Sequence, residues 1–419
     1  MAVPAMALGG PAVAVNIAPL TRWSARCLDT ARAAAIVTAV SAPISTAAAS
    51  IGSAVFLLAL LLSGRIHRLA AASFDSLAGK AVLAFLAWVL LSATWSEAGI
   101  AAALRDFWSW RKLVYLYLAL PLFCDDAWKR RALLALVYIS ALAVVLSYAS
   151  FAGWLPFRFN TPGVVLTNYA VQGAAFAVGA VCAFQLALWA AGGKRWWYAA
   201  IAAALVVNVL FFNFGRTGYL ALAAVTLAWA VVAGGWRSTA IAAAALAALF
   251  TAAYAWSPTF HQRIAQGWAE VTDERELTTV TQMGVRVLFL RNSLALIRER
   301  PVAGYGLGSF KKVYGDYVEQ RYSGVQATRA GDPHNQYLYI TFEHGLIGLA
   351  LFALMIAGLL RSFPRDAYGR IAACALVAWC LTSVFSSHFR TFPEGHFYAL
   401  LIAILGAAQS SRVRVSDLR

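Results

Sequence analysis

Long apolar runs separated by short polar breaks occupy most of this chain. Twelve runs, at about 31-47, 50-64, 79-96, 107-123, 131-152, 167-191, 197-213, 217-234, 238-256, 335-360, 370-387 and 397-410, reach or approach the length that takes a helix across a membrane. A hydrocarbon layer about 30 Å thick needs about 20 helical residues, and the backbone inside it must satisfy its own hydrogen bonds. Continuous apolarity, in place of the alternating segments of about 10 residues that mark a membrane barrel, predicts helices. The expected fold is an all-α polytopic membrane protein with about twelve transmembrane helices. Its first two spans are the least sharply bounded, because Ala, Ser and Pro dominate them.

One polar stretch, from about 257 to 334, breaks the rhythm. Within it "SPTFHQRIAQGWAEV" repeats Phe260, Ile264, Trp268 and Val271 at helical spacing opposite polar residues, which predicts an amphipathic helix near a membrane surface. "VRVLFLRNSLALIRER" predicts a second helix, stopped by Pro301 and by "GYGLGS". Gly304, Gly306 and Gly308 miss the G-x-G-x-x-G pattern and follow a helix, so they read as a flexible turn returning the chain and not as a nucleotide site. The expected organisation is an N-terminal cytoplasmic segment over 1-30, nine spans within 31-256, an outside loop over 257-334, three spans within 335-410 and a cytoplasmic tail over 411-419.

Composition supports the membrane reading: 61% of the 419 residues are hydrophobic and 12% charged, and the mean hydropathy is +0.68. A soluble domain carries about twice that charged fraction. The opening "MAVPAMALGGPAVAVNIAPLTRW" lacks a basic start and does not read as a cleaved signal peptide. Cys27, Cys124, Cys182, Cys374 and Cys380 have no metal-ligand spacing and read as small buried hydrophobes.

The net charge of +16 is distributed unevenly. With a cytoplasmic N-terminus, the inside connections hold Arg65 and Arg68, Lys129 to Arg131, Lys194 and Arg195, Arg237, Arg361, Arg365 and Arg370, then Arg412, Arg414 and Arg419. Such clustering is the positive-inside pattern, so the basic excess needs no nucleic-acid partner. Arg158, Arg216 and Arg390 fall instead on the short outside connections.

Arg216, in "FFNFGRTGYLAL", lies at the boundary between two spans, where it either snorkels to the interface or faces a polar cavity. Arg286, in "QMGVRVLFLRNS", opens the second loop helix; alone it is a solvated helix-start residue. Two guanidinium forks converging at a membrane boundary suit a pyrophosphate, which they grip through paired, charge-assisted contacts. His334 opens the tenth span. Either it is an ordinary helix-start residue, or it is a general base, since imidazole titrates near neutral pH. Asp332 either orients its ring or caps the helix. Glu343 and His344 lie deeper, and Gly345 and Gly348 supply a small-residue face for helix packing. Walker, zincin, zinc-finger and nucleophile-elbow motifs are all absent from the sequence. The expected chemistry is therefore a transfer without metal, cofactor or ATP, driven by a substrate diphosphate.

His334-Asn335, nine residues, then Gly345-Leu346-Ile347-Gly348 resembles the H-[NSQ]-x9-G-x-x-G motif of bacterial O-antigen ligases. "GVRVLFLRNSLALIRERPVAGYGLGSF" and "GRTGYLAL" are similar to two further blocks of that ligase/polymerase superfamily, and the resemblance covers about 160 to 360. Gly215 stands where relatives often have Ser before the arginine. The resemblance implies an inner-membrane transferase that acts on its periplasmic face. It would move O-antigen from undecaprenyl diphosphate onto a sugar hydroxyl of lipid A-core, with Arg216 and Arg286 on the diphosphate and His334 as base or acceptor-positioning group. Asn335, Arg291, Tyr305, Arg390 and Arg158 are further candidate substrate contacts, with Asn168, His388 and His396 beside them. Each also reads as an ordinary interfacial residue. Rival readings are an O-antigen polymerase or a protein oligosaccharyltransferase of the same superfamily, and, from another class, a lipid-diphosphate flippase.

Overall fold

A computed structural model describes residues 21–155, 161–272 and 282–408. The expected apolar runs fall largely on helix, and no strand occurs among the described residues. Helix α1 (Arg22–Ser41) packs along α2 (Thr46–Leu62) across the turn at 42–45. Their caps are Thr21 and Ser45, each accepting a backbone N–H from the first turn. The first helix starts earlier than the expected span because Thr21 caps it and Asp29 pairs with Arg32 one turn on, at 2.8 Å. A bend of 100° then leads into α3 (Ile66–Asp75), which falls in what reads from sequence as a loop.

After α4 (Leu77–Leu91) come α5 (Ile100–Phe107) and α6 (Arg111–Ala119), which replace the continuous span expected over 107–123. Short 3₁₀ turns flank α6, one of them containing Pro121. α7 (Asp126–Phe151) and α8 (Tyr169–Trp189) follow, and α9 (Gly193–Val207) runs on into a π turn, Asn208–Phe212. α10 (Arg216–Trp256) has 41 residues, far more than one crossing needs, and Gly235 (φ 67°, ψ −158°) breaks it between the two expected runs. The 257–334 stretch holds α11 (Pro258–Thr272), α12 (Gln282–Glu299) and α13 (Phe310–Arg321). α14 (Gln336–Ser362), α15 (Ala367–Thr382) and α16 (Phe392–Gly406) complete the α-helices of the described residues.

This is a membrane protein with an all-helical described body. Among the described residues, and counting the 41-residue α10 once, six helical segments are long and apolar enough to cross a bilayer, or seven if the bent pair α2 and α3 is one span, against the twelve spans expected. α15 and α16, with 16 and 15 residues, fall short of the length that a 30 Å layer requires, and α6 with 9 residues falls much further short. Protein, not lipid, surrounds α16: every residue from Glu394 to Gly406 is buried, among α1, α6 and α15. α8 is the other central helix, packed by α7, α9 and α10.

Lys129, which reads from sequence as a solvated inside charge, is fully buried and donates to the Ala407 carbonyl at 2.6 Å. It thereby closes the end of α16. The candidate site lies at the opposite end of that helix.

Candidate functional site

Irregular backbone builds the site. At Gly345 (φ 67°, ψ −172°) α14 is interrupted, and the groups freed there pair with the segment before α13. Tyr305 and Gly306 donate their amides to the carbonyls of Phe342 and Glu343, at 2.9 and 2.8 Å. Leu346 and Ile347 donate to the carbonyls of Pro301 and Val302, at 2.8 and 3.3 Å. The same segment pairs on its other side with the end of α4: Glu97 N–H donates to Tyr305 O at 3.1 Å and Ser96 Oγ to Leu307 O at 2.7 Å. The 304–308 segment is therefore a rigid splice between two helices and not a flexible turn. A Cβ on Gly345 would stand 1.9 Å from Val302 O, and one on Gly306 would stand 2.4 Å from Ser96 Cα.

His334 sits just before α14 with φ 52°, the single non-glycine residue in left-handed backbone among those described. Asp332 holds it there: its Oδ1 accepts His334 N–H at 2.7 Å and lies 3.5 Å from His334 Nδ1. Ser387 Oγ donates to the same oxygen at 3.2 Å. The helix cap is instead Asn335, whose side chain accepts from Tyr337 N and Leu338 N. About half of the His334 side chain remains exposed (48%), and its ring stacks on Phe289 of α12 at 5.9 Å. Phe289 is three residues after Arg286, so the face that carries Arg286 is the one laid against His334.

Arg286 stands close enough to His388 to act on its charge. Burial pushes the His388 imidazole below its usual range and Arg286 pushes it further, while Glu394 and Asp332 oppose them. Thr382 Oγ1 spends its proton on Ala378 O at 2.8 Å, so at 3.0 Å it must accept from His388 Nδ1. The other ring nitrogen then faces Glu394, at 3.7 Å.

Arg216 opens α10, and its guanidinium lies against Gly267 of α11, where a Cβ would come 3.3 Å from Cζ. α11 packs on both α10 and α12, the two helices that carry the candidate arginines. Arg263 of α11 lies over Phe214 and joins Arg216 near Tyr219. Among the remaining candidates, Asn168 caps α8, and Tyr305 OH, with one proton to donate, lies 3.1 Å from Leu296 O and 3.0 Å from Glu299 Oε2. His396 is buried, with Nδ1 2.7 Å from Phe392 O. Arg291 is exposed on α12, and Arg158 lies outside the described residues.

A second polar cluster adjoins His334, and the sequence pattern marks only its edges. Arg390 pairs with Asp106 of α5, and its guanidinium lies 4.0 Å over the Tyr339 ring. Lys112, fully buried in α6, fixes the loop from below by donating to the carbonyls of Arg390 and Thr391 at 2.5 and 2.9 Å. Glu343, also fully buried, accepts Gly308 N–H at 3.0 Å and Phe310 N–H at 3.1 Å, so it caps α13. These groups border a cavity of about 310 Å³ that Arg105, Lys311 and Gly331 also line. The available signal is that Asp106, Lys112 and Glu343 are ionisable residues at or inside apolar runs, where a charge needs a partner or a polar cavity.

The fold is an apolar helical membrane body with cationic and imidazole groups gathered where its helices break. Residues 201–353 match the family model described as O-antigen ligase, a stretch that contains Arg216, Arg286 and the whole of the His334 to Gly348 motif. Over these residues the chain is similar to the O-antigen ligase family, whose members are glycosyltransferase-like enzymes of O-antigen and lipopolysaccharide pathways. No curated protein matches it.

Proposed function

We propose that this chain is an O-antigen ligase. It transfers O-antigen polysaccharide from undecaprenyl diphosphate to a sugar hydroxyl of lipid A-core, at the periplasmic face of the bacterial inner membrane. The observation that carries this reading is His334, held in left-handed backbone by Asp332 and stacked on the helix face of Arg286, within the residues that match the family.

Arg216 and Arg286 hold the diphosphate and stabilise the charge that gathers on it as the bond to the anomeric carbon breaks. His334 takes the proton of the acceptor hydroxyl, whose oxygen forms the new glycosidic bond from the opposite face, and undecaprenyl diphosphate leaves with the bonding electron pair. A single displacement of this kind inverts the anomeric centre.

The test is reconstitution of purified protein with lipid-linked O-antigen and lipid A-core. Ligated lipopolysaccharide of inverted linkage is expected, and removal of a positioned base in His334→Ala is expected to slow transfer by about 10² to 10⁴ while the protein still inserts. Arg216→Ala and Arg286→Ala should be similarly impaired. Elongated lipid-linked chains in place of lipopolysaccharide would assign a polymerase, and a retained linkage would sink the single displacement.

A further inference from the structure

The cavity beside His334 has a composition that the transfer chemistry alone does not explain. Three cations line it, Arg105, Lys311 and Arg390, against two carboxylates, Asp106 and Glu343. The carboxylates are already engaged: Asp106 with Arg390 and with Tyr339 OH at 3.4 Å, Glu343 with the two amides that it caps. Arg390 is held by its own pair and by Tyr339. Arg105 and Lys311, both exposed, have no ion-pair partner among the described residues. They come from α5 and α13, on different walls of one cavity.

The volume falls at the lower end of the range for small-ligand sites, about 300 to 1,000 Å³. Two cations on one cavity, neither paired with a carboxylate among the described residues, suit an anion with several acceptor oxygens, and the remaining lone pairs of Asp106 suit hydroxyl donors. Both requirements meet in a phosphorylated sugar and not in bare phosphate. Gly331 in the cavity wall is three residues from His334, so the two lie within about 10 Å of one another along the chain.

Resting on the ligase reading, we propose that this cavity binds a phosphomonoester-bearing sugar of the acceptor glycan, with Arg105 and Lys311 on the phosphate. It thereby delivers the neighbouring hydroxyl to His334.

Binding is measured on the purified full chain in phosphatidylcholine nanodiscs, with glucose 6-phosphate as probe and glucose and inorganic phosphate as comparisons. The phosphosugar is expected to bind more tightly than either, and to weaken about tenfold in Arg105→Gln and in Lys311→Gln, the loss of one charge-assisted contact. Undecaprenyl diphosphate affinity is expected to stay the same in both variants. Absence of phosphosugar binding, or equal binding in wild type and variants, overturns the proposal. Loss of phosphosugar binding on replacing phosphatidylcholine by phosphatidylglycerol would make the cavity a lipid-headgroup site and likewise overturn it.

In the transfer assay, phosphatase treatment of the acceptor is expected to raise the wild-type acceptor KM about tenfold, with no further rise in the variants. An equal rise in wild type and variants would separate the two cations from the phosphate. The binding measurement requires no transferase activity, so its outcome stands apart from that of the ligase reading.

Discussion

His334 adopts a backbone conformation that costs an ordinary residue about 1 to 2 kcal/mol. The cost is borne by Asp332, which binds both the His334 amide and Ser387, and by the stack on Phe289. Strain of this kind persists where geometry serves a purpose, here laying the imidazole against Phe289 of α12. Replacing His334 by Gly relieves the strain and removes the imidazole. We expect His334→Gly to stabilise the fold by about 1 kcal/mol, read as a higher melting temperature of the purified protein, while transfer is lost. A lower melting temperature than wild type would show that the Phe289 stack outweighs the strain. The candidacy of His334 was legible from its spacing to Gly345 and Gly348; its strained backbone was not, because no residue type announces a positive φ except glycine. Asp106 was less legible still, since its partner Arg390 stands 284 positions away.

At the level of elements, periodicity and apolar length placed most helices to within a few residues. The errors fall where a helix is broken or short. α14 reads as one uninterrupted span, yet Gly345 opens it so that the 301–306 segment can pair with the exposed backbone. Gly304, Gly306 and Gly308 read as a flexible turn because the need for a missing Cβ lies in the segment that approaches them, not in their own spacing. We expect Gly345→Ala to cost about 3 kcal/mol or more, since its Cβ meets the Val302 carbonyl in addition to the adverse φ. Gly64→Ala, with φ 66° and nothing within 4 Å, isolates the conformational part and should cost about 1 to 2 kcal/mol. Equal losses in thermal unfolding of the two variants would contradict the splice as the reason for Gly345.

Across the whole molecule, the charged groups separate into two ends. Lys129 closes the end of α16 away from the site, while Lys112 and Arg390 fix the end beside it. If the site end faces the periplasm, Lys312→Cys on α13 should react with a membrane-impermeant maleimide in intact cells. Lys194→Cys at the start of α9 should react only after lysis; labelling of both in intact cells would contradict that orientation.

From the sequence alone came an embedded helical body, a long polar excursion between two groups of spans, and a histidine and two arginines in the spacing of one family. Those properties are local or periodic, carried by the composition of each segment and by separations along the chain. Only the tertiary structure decided which helices are long enough to cross and which are short and wrapped in protein, and that the glycine turn is a splice. It also decided that Arg105 and Lys311 face one cavity. Each of these depends on which distant backbone or charge comes to lie opposite, a choice made by packing among many helices that the pattern within one segment does not encode.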